Sequence, residues 1–281
     1  MLLNEYVSCY IKEAISHNKL SSVVSELNNI TMNYHANSNN HSLYYDLVKV
    51  VDKFGLKKLG AGVSRKAYAL ENEDWVLKFA YGQNDVDYMF ALDTNAEEVE
   101  ISQGIHGMGS RDIFVQVYDW DKLSEKPAWI IAQKVMTLSE AWRTMSFLDL
   151  QKIFPTFWNA LYKDAKEKMS KNFFCDFVAD SMFEMSVESS LRGKNSSGLK
   201  EEGFYLAMEE ASISEASLKP IEAIRFDLDF MRIARACAYS RPDDMHSGNI
   251  GIIPSRDPSP NDIVILDYML DFGADTYTVQ R

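Results

Sequence analysis

The chain has 281 residues, of which 46% are hydrophobic and 25% are charged, and its formal net charge is −12. This length and composition predict a substantial core in one or two globular domains and exclude an intrinsically disordered protein. The negative charge disfavours a broad field attractive to nucleic acid, so we expect no direct nucleic-acid partner.

Cysteine usage and the N-terminus indicate a compartment. Cys9, Cys175 and Cys237 are far apart and form no Cys-x-x-Cys pair, which favours reduced core thiols over a disulfide framework. Glu5 lies where a secretory signal would carry basic residues, and no apolar run is long enough to span a bilayer. The sequence therefore predicts a cytoplasmic protein without a membrane partner.

Residues 1–55 are expected to form an N-terminal helical extension. Apolar residues recur at helical spacing over residues 4–30 with an interruption at 17–19, which predicts two short helices. A further helix follows, capped by Ser42 and ended by Gly55. Its apolar face consists of Leu43, Leu47, Val50 and Val51.

Residues 56–136 alternate short β-prone runs with turns, which predicts a small twisted antiparallel sheet. The acid-rich segment 95–102 interrupts this alternation and favours one helix. The β-prone runs cover residues 57–59, 66–70, 75–79, 114–118 and 129–135.

Residues 137–281 are mostly helical in pattern. Ser146 is a plausible cap for a helix over residues 147–165, with Pro155 as a kink or boundary. A last helix is predicted over residues 220–238 and leads into a polar loop. The fold class predicted from the whole chain is therefore α+β.

Two carboxylates and an amide lie in the polar loop and at the end of a strand that follows it. Asp244 precedes Asn249 by five residues, and Asp267 ends a second apolar strand at 263–266. Phosphoryl transfer needs a carboxylate to orient the attacking hydroxyl and accept its proton, and an amide and another carboxylate to hold Mg²⁺ against ATP. Asp271 is a second candidate metal ligand, but Asp267 is preferred because it ends the apolar strand.

Two further features point to phosphate. Gly60 and Gly62, followed by Ser64, lie between two predicted strands, where glycines let backbone N–H groups approach phosphate; a plain hairpin turn is the alternative. Lys78 lies inside the apolar strand 75–79, which is costly unless its ammonium meets a carboxylate or phosphate; an edge-strand lysine reaching solvent is the alternative.

Taken in chain order, these features resemble the protein-kinase-like superfamily. The segment Asp244-Met-His246-Ser-Gly-Asn249 follows the Asp-x-His-x-x-Asn variant typical of atypical kinases, including aminoglycoside and choline phosphotransferases. Within that group, the N-terminal helical segment, Gly60-Ala-Gly62 with Ser64, the pair Ala67-Tyr68 and the segment 244–249 are most similar to the early serine/threonine protein kinases of T-seven-type podophages. The resemblance implies a two-lobed fold, with a sheet lobe at 56–136 and a helical lobe at 137–281 that carries the catalytic loop.

The resemblance also implies roles for individual residues. Asp244 would be the catalytic base, and Asn249 and Asp267 the Mg²⁺ ligands. His246 would shape the loop. The residues implied for binding ATP are Gly60, Gly62, Ser64, Lys78, Glu98, Gln133 and Val135.

Within this set, Lys78 would hold the α- and β-phosphates and Glu98 would position Lys78. Glu97 and Glu100 are alternatives to Glu98, because all three acids lie on one predicted helix. Arg65 replaces the third glycine of the kinase loop, so this loop is either stiffer or uses a side chain on the phosphates.

The function implied is a phage-type serine/threonine protein kinase that transfers the γ-phosphate of ATP to host proteins of transcription, translation or RNA processing, in the host cytoplasm. Two alternatives stay open at this point. One is a kinase of small hydroxylated molecules that resembles aminoglycoside or choline phosphotransferases. The other is an inhibitory pseudokinase that binds a host factor.

Overall fold

The computed structural model confirms an α+β chain with a small antiparallel sheet and several helices. It describes residues 2–37, 43–61, 65–70, 73–103, 113–165, 170–191, 227–239 and 248–266. They divide into two compact units, one within residues 1–109 and 116–134 and the other within 110–115 and 135–281. The three-part division at residues 55 and 136 stays a prediction.

The first unit begins with one long helix, α1, Leu2–Asn37. The prediction of two short helices is therefore wrong. The polar residues Asn18 and Lys19 are exposed, and such residues reduce helix propensity only slightly, so they do not end the helix. Beyond them, Val23 and Leu27 are fully buried and hold the helix on the core.

The second helix, α2, Leu43–Phe54, has the apolar face that was predicted. Gly55 ends it in the left-handed region, at φ 66°, which glycine adopts without a steric penalty. The N–H of Leu56 then donates to the carbonyl of Val51 at 2.9 Å. The four predicted face residues, Leu43, Leu47, Val50 and Val51, are all buried.

A five-stranded antiparallel sheet follows, with strand order β1-β2-β3-β5-β4. The third strand is central, and all six of its residues are buried. The strands are β1 Lys57–Ala61, β2 Arg65–Ala69, β3 Trp75–Ala80, β4 Val117–Trp120 and β5 Trp129–Gln133.

Between β3 and β4 lies α3, Asp85–Gln103, which begins ten residues before the predicted helix at 95–102. The earlier start has a local cause. The side-chain oxygen of Asn84 accepts a hydrogen bond from the N–H of Asp87 at 2.9 Å, as a helix-capping residue does. The cluster of acids that predicts the helix lies near its C-terminal end and does not mark its start.

The core of the first unit lies on one face of the sheet. Trp75, Leu77 and Phe79 of β3 belong to one buried cluster with residues of α1 and α2, such as Leu27 and Leu47. Successive side chains of a strand point to opposite faces. The residues of β3 between these three therefore face away from α1 and α2.

The second unit contains five helices among its described residues. Ser146 caps α5 as predicted, since its side chain accepts from the N–H of Asp149 at 3.1 Å. Pro155 begins a separate helix, so it is a boundary and not a kink. The helices are α4 Leu138–Thr144, α5 Phe147–Ile153, α6 Pro155–Ala165, α7 Lys171–Leu191 and α8 Leu228–Tyr239.

A three-stranded antiparallel sheet, in the order β6-β7-β8, belongs to the same unit. Arg232 of α8, which is buried, donates from Nε and Nη2 to the carbonyl of Ile263 at 2.9 and 2.7 Å. Phe114 forms a parallel bridge with Ile265. The strands are β6 Met136–Thr137, β7 Ile250–Ile252 and β8 Ile263–Ile265, and the last is preceded by the 3-10 helix Pro260–Asp262.

Gly251 of β7 lies where a side chain does not fit. A Cβ atom there would lie 2.8 Å from Cγ2 of Val135 and 3.0 Å from Cγ of Leu266. By contrast, a Cβ atom at Gly60 of β1 would meet nothing within 4 Å. The two glycines therefore form a matched pair, one required by packing and one not.

We expect Gly251→Ala to lower the free energy of unfolding by about 1–3 kcal/mol, because the added methyl forces buried neighbours to move. Gly60→Ala should change it by no more than about 1 kcal/mol. Chemical denaturation of both variants beside the unmodified chain tests this. Equal losses in the two variants would contradict the packing argument.

Asp229 of α8 ties that helix to the start of α6. Its carboxylate is fully buried and accepts hydrogen bonds from the N–H and the hydroxyl of Thr156, both at 2.7 Å. Burial raises the pKa of the Asp229 carboxyl to about 6, although the bonds from Thr156 act in the opposite direction. Burial therefore makes the ionised form of Asp229 less favourable in the folded state than in water.

The folded state binds the proton of Asp229 more tightly than the unfolded state, so this group's contribution to stability is complete below about pH 4 and is lost as the pH rises through about 6. The loss amounts to about 3 kcal/mol. Asp229→Asn keeps an acceptor for the Thr156 N–H and removes the titration. We expect urea unfolding at a series of pH values to give the variant a flatter profile, and identical profiles would contradict this.

Candidate functional site

The alternation of β3 gives Lys78 its direction. Its neighbours Leu77 and Phe79 lie in the core cluster against α1 and α2, so the Lys78 side chain leaves from the other face. β3 lies between β2 and β5 and is not an edge strand. Because Lys78 is also buried, at 8% exposure, the alternative of an edge lysine reaching solvent is wrong.

Lys78 forms an ion pair with Glu98 of α3. The distance from Nζ to Oε1 is 2.5 Å, and the Glu98 side chain is only 2% exposed. Of the three candidate acids on this helix, Glu97 and Glu100 are partly exposed, whereas Glu98 is buried. The structure thus brings together the lysine and the glutamate that the resemblance paired.

Arg65, the first residue of β2, contacts the same carboxylate. Its Nη1 lies against Oε2 of Glu98, and its side chain is 10% exposed. One buried carboxylate therefore faces two cations, one on each oxygen. Sequence reasoning noticed Arg65 as a departure from a glycine pattern and missed this contact.

The glycine loop is described in part. Gly60 lies in β1 beside an irregularity of the pairing with β2, between Lys58 and Gly60, and is exposed. Gly62 and Ser64 lie outside the described residues. At Gly60 the absence of a side chain serves no packing need within the described chain, since the space around it is open.

A lysine and two tyrosines fix α2 to the strand that carries Arg65. Lys66 Nζ lies 3.4 Å from the ring centroid of Tyr81 and donates to the hydroxyl of Tyr44 of α2 at 2.9 Å. A lysine ammonium over an aromatic face is attracted by the ring quadrupole. Burial also raises the pKa of the nearby Tyr68 hydroxyl to about 12, so this phenol stays neutral.

Gln133 and Val135, two of the residues implied for binding ATP, belong to different units and are described separately. Gln133 ends β5 in the first unit, and its N–H donates to the carbonyl of Gln116 at 2.8 Å. Val135, in the second unit, packs against Gly251, as described above. Both are partly buried.

Of the predicted catalytic-loop residues, Asn249 is described. It is 7% exposed and immediately precedes β7. Its carbonyl accepts a hydrogen bond from the N–H of Leu266 at 2.8 Å, just after β8. The start of β7 is thereby fixed beside the end of β8. Asp244, His246, Asp267 and Asp271 lie outside the described residues.

The donor set expected for Mg²⁺ is an amide oxygen and a carboxylate, and both are oxygen ligands of the kind this hard cation takes. Asn249 is the described member, held in place by the strand pair of the second unit. Within the described residues no group of three or more His, Cys, Asp or Glu side chains forms a metal cluster. A structural zinc site is therefore not found in that part of the chain.

Other chemistries find less support in the part of the chain that is described. Burial raises the pKa of the Cys175 thiol to about 12, so this cysteine is a core thiol and not a nucleophile at neutral pH. None of the described helices combines the length and apolar character that a bilayer span requires.

Comparison with known proteins adds no relative: no protein-family model matches the chain, and no curated protein matches its sequence.

The contribution of the buried Glu98 carboxylate to stability can be tested directly. Glu98→Gln leaves two buried cations without their shared anion, and we expect the free energy of unfolding to fall by about 3–5 kcal/mol. Asp93→Asn is the matched control, because Asp93 pairs with Lys126 on the surface at 2.6 Å with half of its side chain exposed. The control should cost less than about 1 kcal/mol. Comparable losses of unfolding free energy in the two variants would show that the contacts of Glu98 with Lys78 and Arg65 are not a major determinant of stability.

Proposed function

We propose that the chain is an ATP-dependent phosphotransferase, a serine/threonine protein kinase of the phage type. The observation that carries this proposal is the buried Lys78–Glu98 ion pair, with the lysine on a central strand and the glutamate on the helix that follows it. The kinase resemblance implies this same pairing of a strand lysine with a helix glutamate.

The energetics favour a functional origin for the pair. Moving charges out of water costs several kcal/mol per ion, and apolar residues of similar volume often stabilise a core as well or better. β3 otherwise consists of apolar residues. A lysine in this strand is therefore better explained by an anionic ligand than by stability.

In the proposed reaction, the ammonium of Lys78 binds the α- and β-phosphates of ATP, and Glu98 keeps that ammonium oriented. The hydroxyl oxygen of the acceptor attacks the γ-phosphorus as the bond from that phosphorus to the β,γ-bridging oxygen breaks. ADP leaves with that oxygen, and the carboxylate of Asp244 accepts the proton of the hydroxyl.

Asn249 and Asp267 would hold Mg²⁺, which neutralises charge on the phosphates when bound. The carbonyl of Asn249 is hydrogen-bonded to Leu266, the residue directly before Asp267 in the chain. Gly60, with Gly62 and Ser64, would contribute backbone N–H groups to the phosphates, and the open space at Gly60 is compatible with a close ligand. Gln133 and Val135 would offer backbone groups to the adenine edge.

The acceptor in this proposal is a serine or threonine hydroxyl of a host protein, in the host cytoplasm. This step is supported by the resemblance to podophage kinases. The resemblance implies that the substrates are host proteins of transcription, translation and RNA processing. No residue of the chain identifies the target.

We expect the purified protein, incubated with γ-labelled ATP, Mg²⁺ and a bacterial lysate, to label lysate proteins on serine or threonine. Lys78→Ala should abolish the label, and Asp244→Ala should reduce its rate by about 10²–10⁴-fold. Lys122→Ala is the control, because it removes an exposed lysine that pairs with Asp119 on the surface of the first unit. The control should retain full activity.

Three other results would contradict the proposal. Label confined to small molecules would indicate a small-molecule kinase, and ATP binding without transfer would indicate a pseudokinase. Full activity of Asp244→Asn would remove Asp244 from the mechanism.

A further inference from the structure

Arg65 and Lys78 lie on one face of the sheet. In the antiparallel pairing of β2 with β3, Ala67 lies opposite Lys78 and Arg65 lies opposite Ala80. Directly paired residues share a face, and so do residues two apart on a strand. Arg65 is therefore the diagonal neighbour of Lys78, and the small side chain of Ala67 lies between them in the register.

Two cations at this spacing repel each other unless an anion separates them, and Glu98 supplies it. Its Oε1 binds Lys78 and its Oε2 binds Arg65. The last torsion of a glutamate side chain is soft and nearly two-fold. A carboxylate held at one oxygen can turn, whereas one held at both oxygens has its plane fixed.

We propose that Arg65 is a positioning residue, which acts through Glu98 to fix the ammonium of Lys78 for the phosphates of ATP. The inference rests on the proposed function. Arginine suits this role, because its guanidinium stays charged at any physiological pH and its planar array of donors matches a carboxylate. When Lys78 turns towards a phosphate, Glu98 keeps its place because Arg65 still holds it.

A positioning role differs from direct binding of phosphate by Arg65. It explains in another way why an arginine stands where the kinase loop has its third glycine. A direct ligand would have to present its guanidinium to the nucleotide, whereas the Arg65 guanidinium is bound to the carboxylate of Glu98 and its side chain is nine-tenths buried. The two roles predict different coupling between Arg65 and Glu98.

The test is a double-mutant cycle on ATP affinity with Arg65→Ala, Glu98→Gln and the combined variant, measured by calorimetry. We expect Arg65→Ala to weaken ATP binding about tenfold in the unmodified chain and by less than about threefold when Glu98 is already glutamine. Arg65→Lys should recover part of the loss, since it keeps one charged donor. Lys58→Ala, which removes an exposed lysine of β1, should leave the affinity unchanged.

Steady-state kinetics supply a second readout of the same variants. Arg65→Ala should raise the KM for ATP and lower kcat, because an ammonium that is misplaced in the ground state is misplaced in the transition state as well. A uniform tenfold loss of ATP affinity with and without Glu98 would overturn the positioning role and make Arg65 a direct ligand.

Unfolding equilibria measured without nucleotide separate this inference from the proposed function. The cycle should show that Arg65→Ala shifts the unfolding constant by about tenfold or more only while Glu98 is present. If that coupling is found but the unmodified chain binds no ATP, the proposed function fails and the positioning role fails with it. If ATP binds and is turned over but the two residues act additively, the function stands and the positioning role alone is overturned.

Discussion

The feature on which the first unit depends is the placement of one buried carboxylate between two cations. Glu98 is 2% exposed and contacts Lys78 and Arg65 with its two oxygens. Neither cation could be kept in the dry interior alone, because an isolated buried charge costs far more than any single packing contact returns. The contact therefore joins α3 to β2 and β3, two strands that are also paired directly with each other.

The apolar half of the same unit decides where this cluster can form. Trp75, Leu77 and Phe79 must face α1 and α2 to enter their core, which leaves the intervening positions of β3 for the other face. A shift of β3 by one residue would send Lys78 into the apolar cluster. By packing against one face of β3, α1 and α2 thus help to direct Lys78 to the other face of the sheet.

The parts of this arrangement that could be predicted are those set by local pattern. The apolar strand at residues 75–79, the apolar face of α2 and the cap at Ser146 follow from short-range chemistry, and each is confirmed. The predictions for the length of α1 and the start of α3 were wrong. In α1, exposed polar residues do not break the helix, and in α3 the helix starts earlier because Asn84 caps it. The partnership of Arg65 with Glu98 could not be read from either segment, since it depends on a contact between residues 33 apart in the chain.

The second unit contains a strand contact between residues that are synthesised far apart in time. Its β8 strand pairs with β7 and also bridges to Phe114, about 150 residues earlier in the chain. A contact of such high sequence separation can form only after both residues have been synthesised, and contacts of this kind slow folding. The last strand of the first unit's sheet ends at Gln133, so every strand of that sheet is synthesised long before Ile265. An emerging chain therefore holds Phe114 without its strand partner until Ile265 has been synthesised.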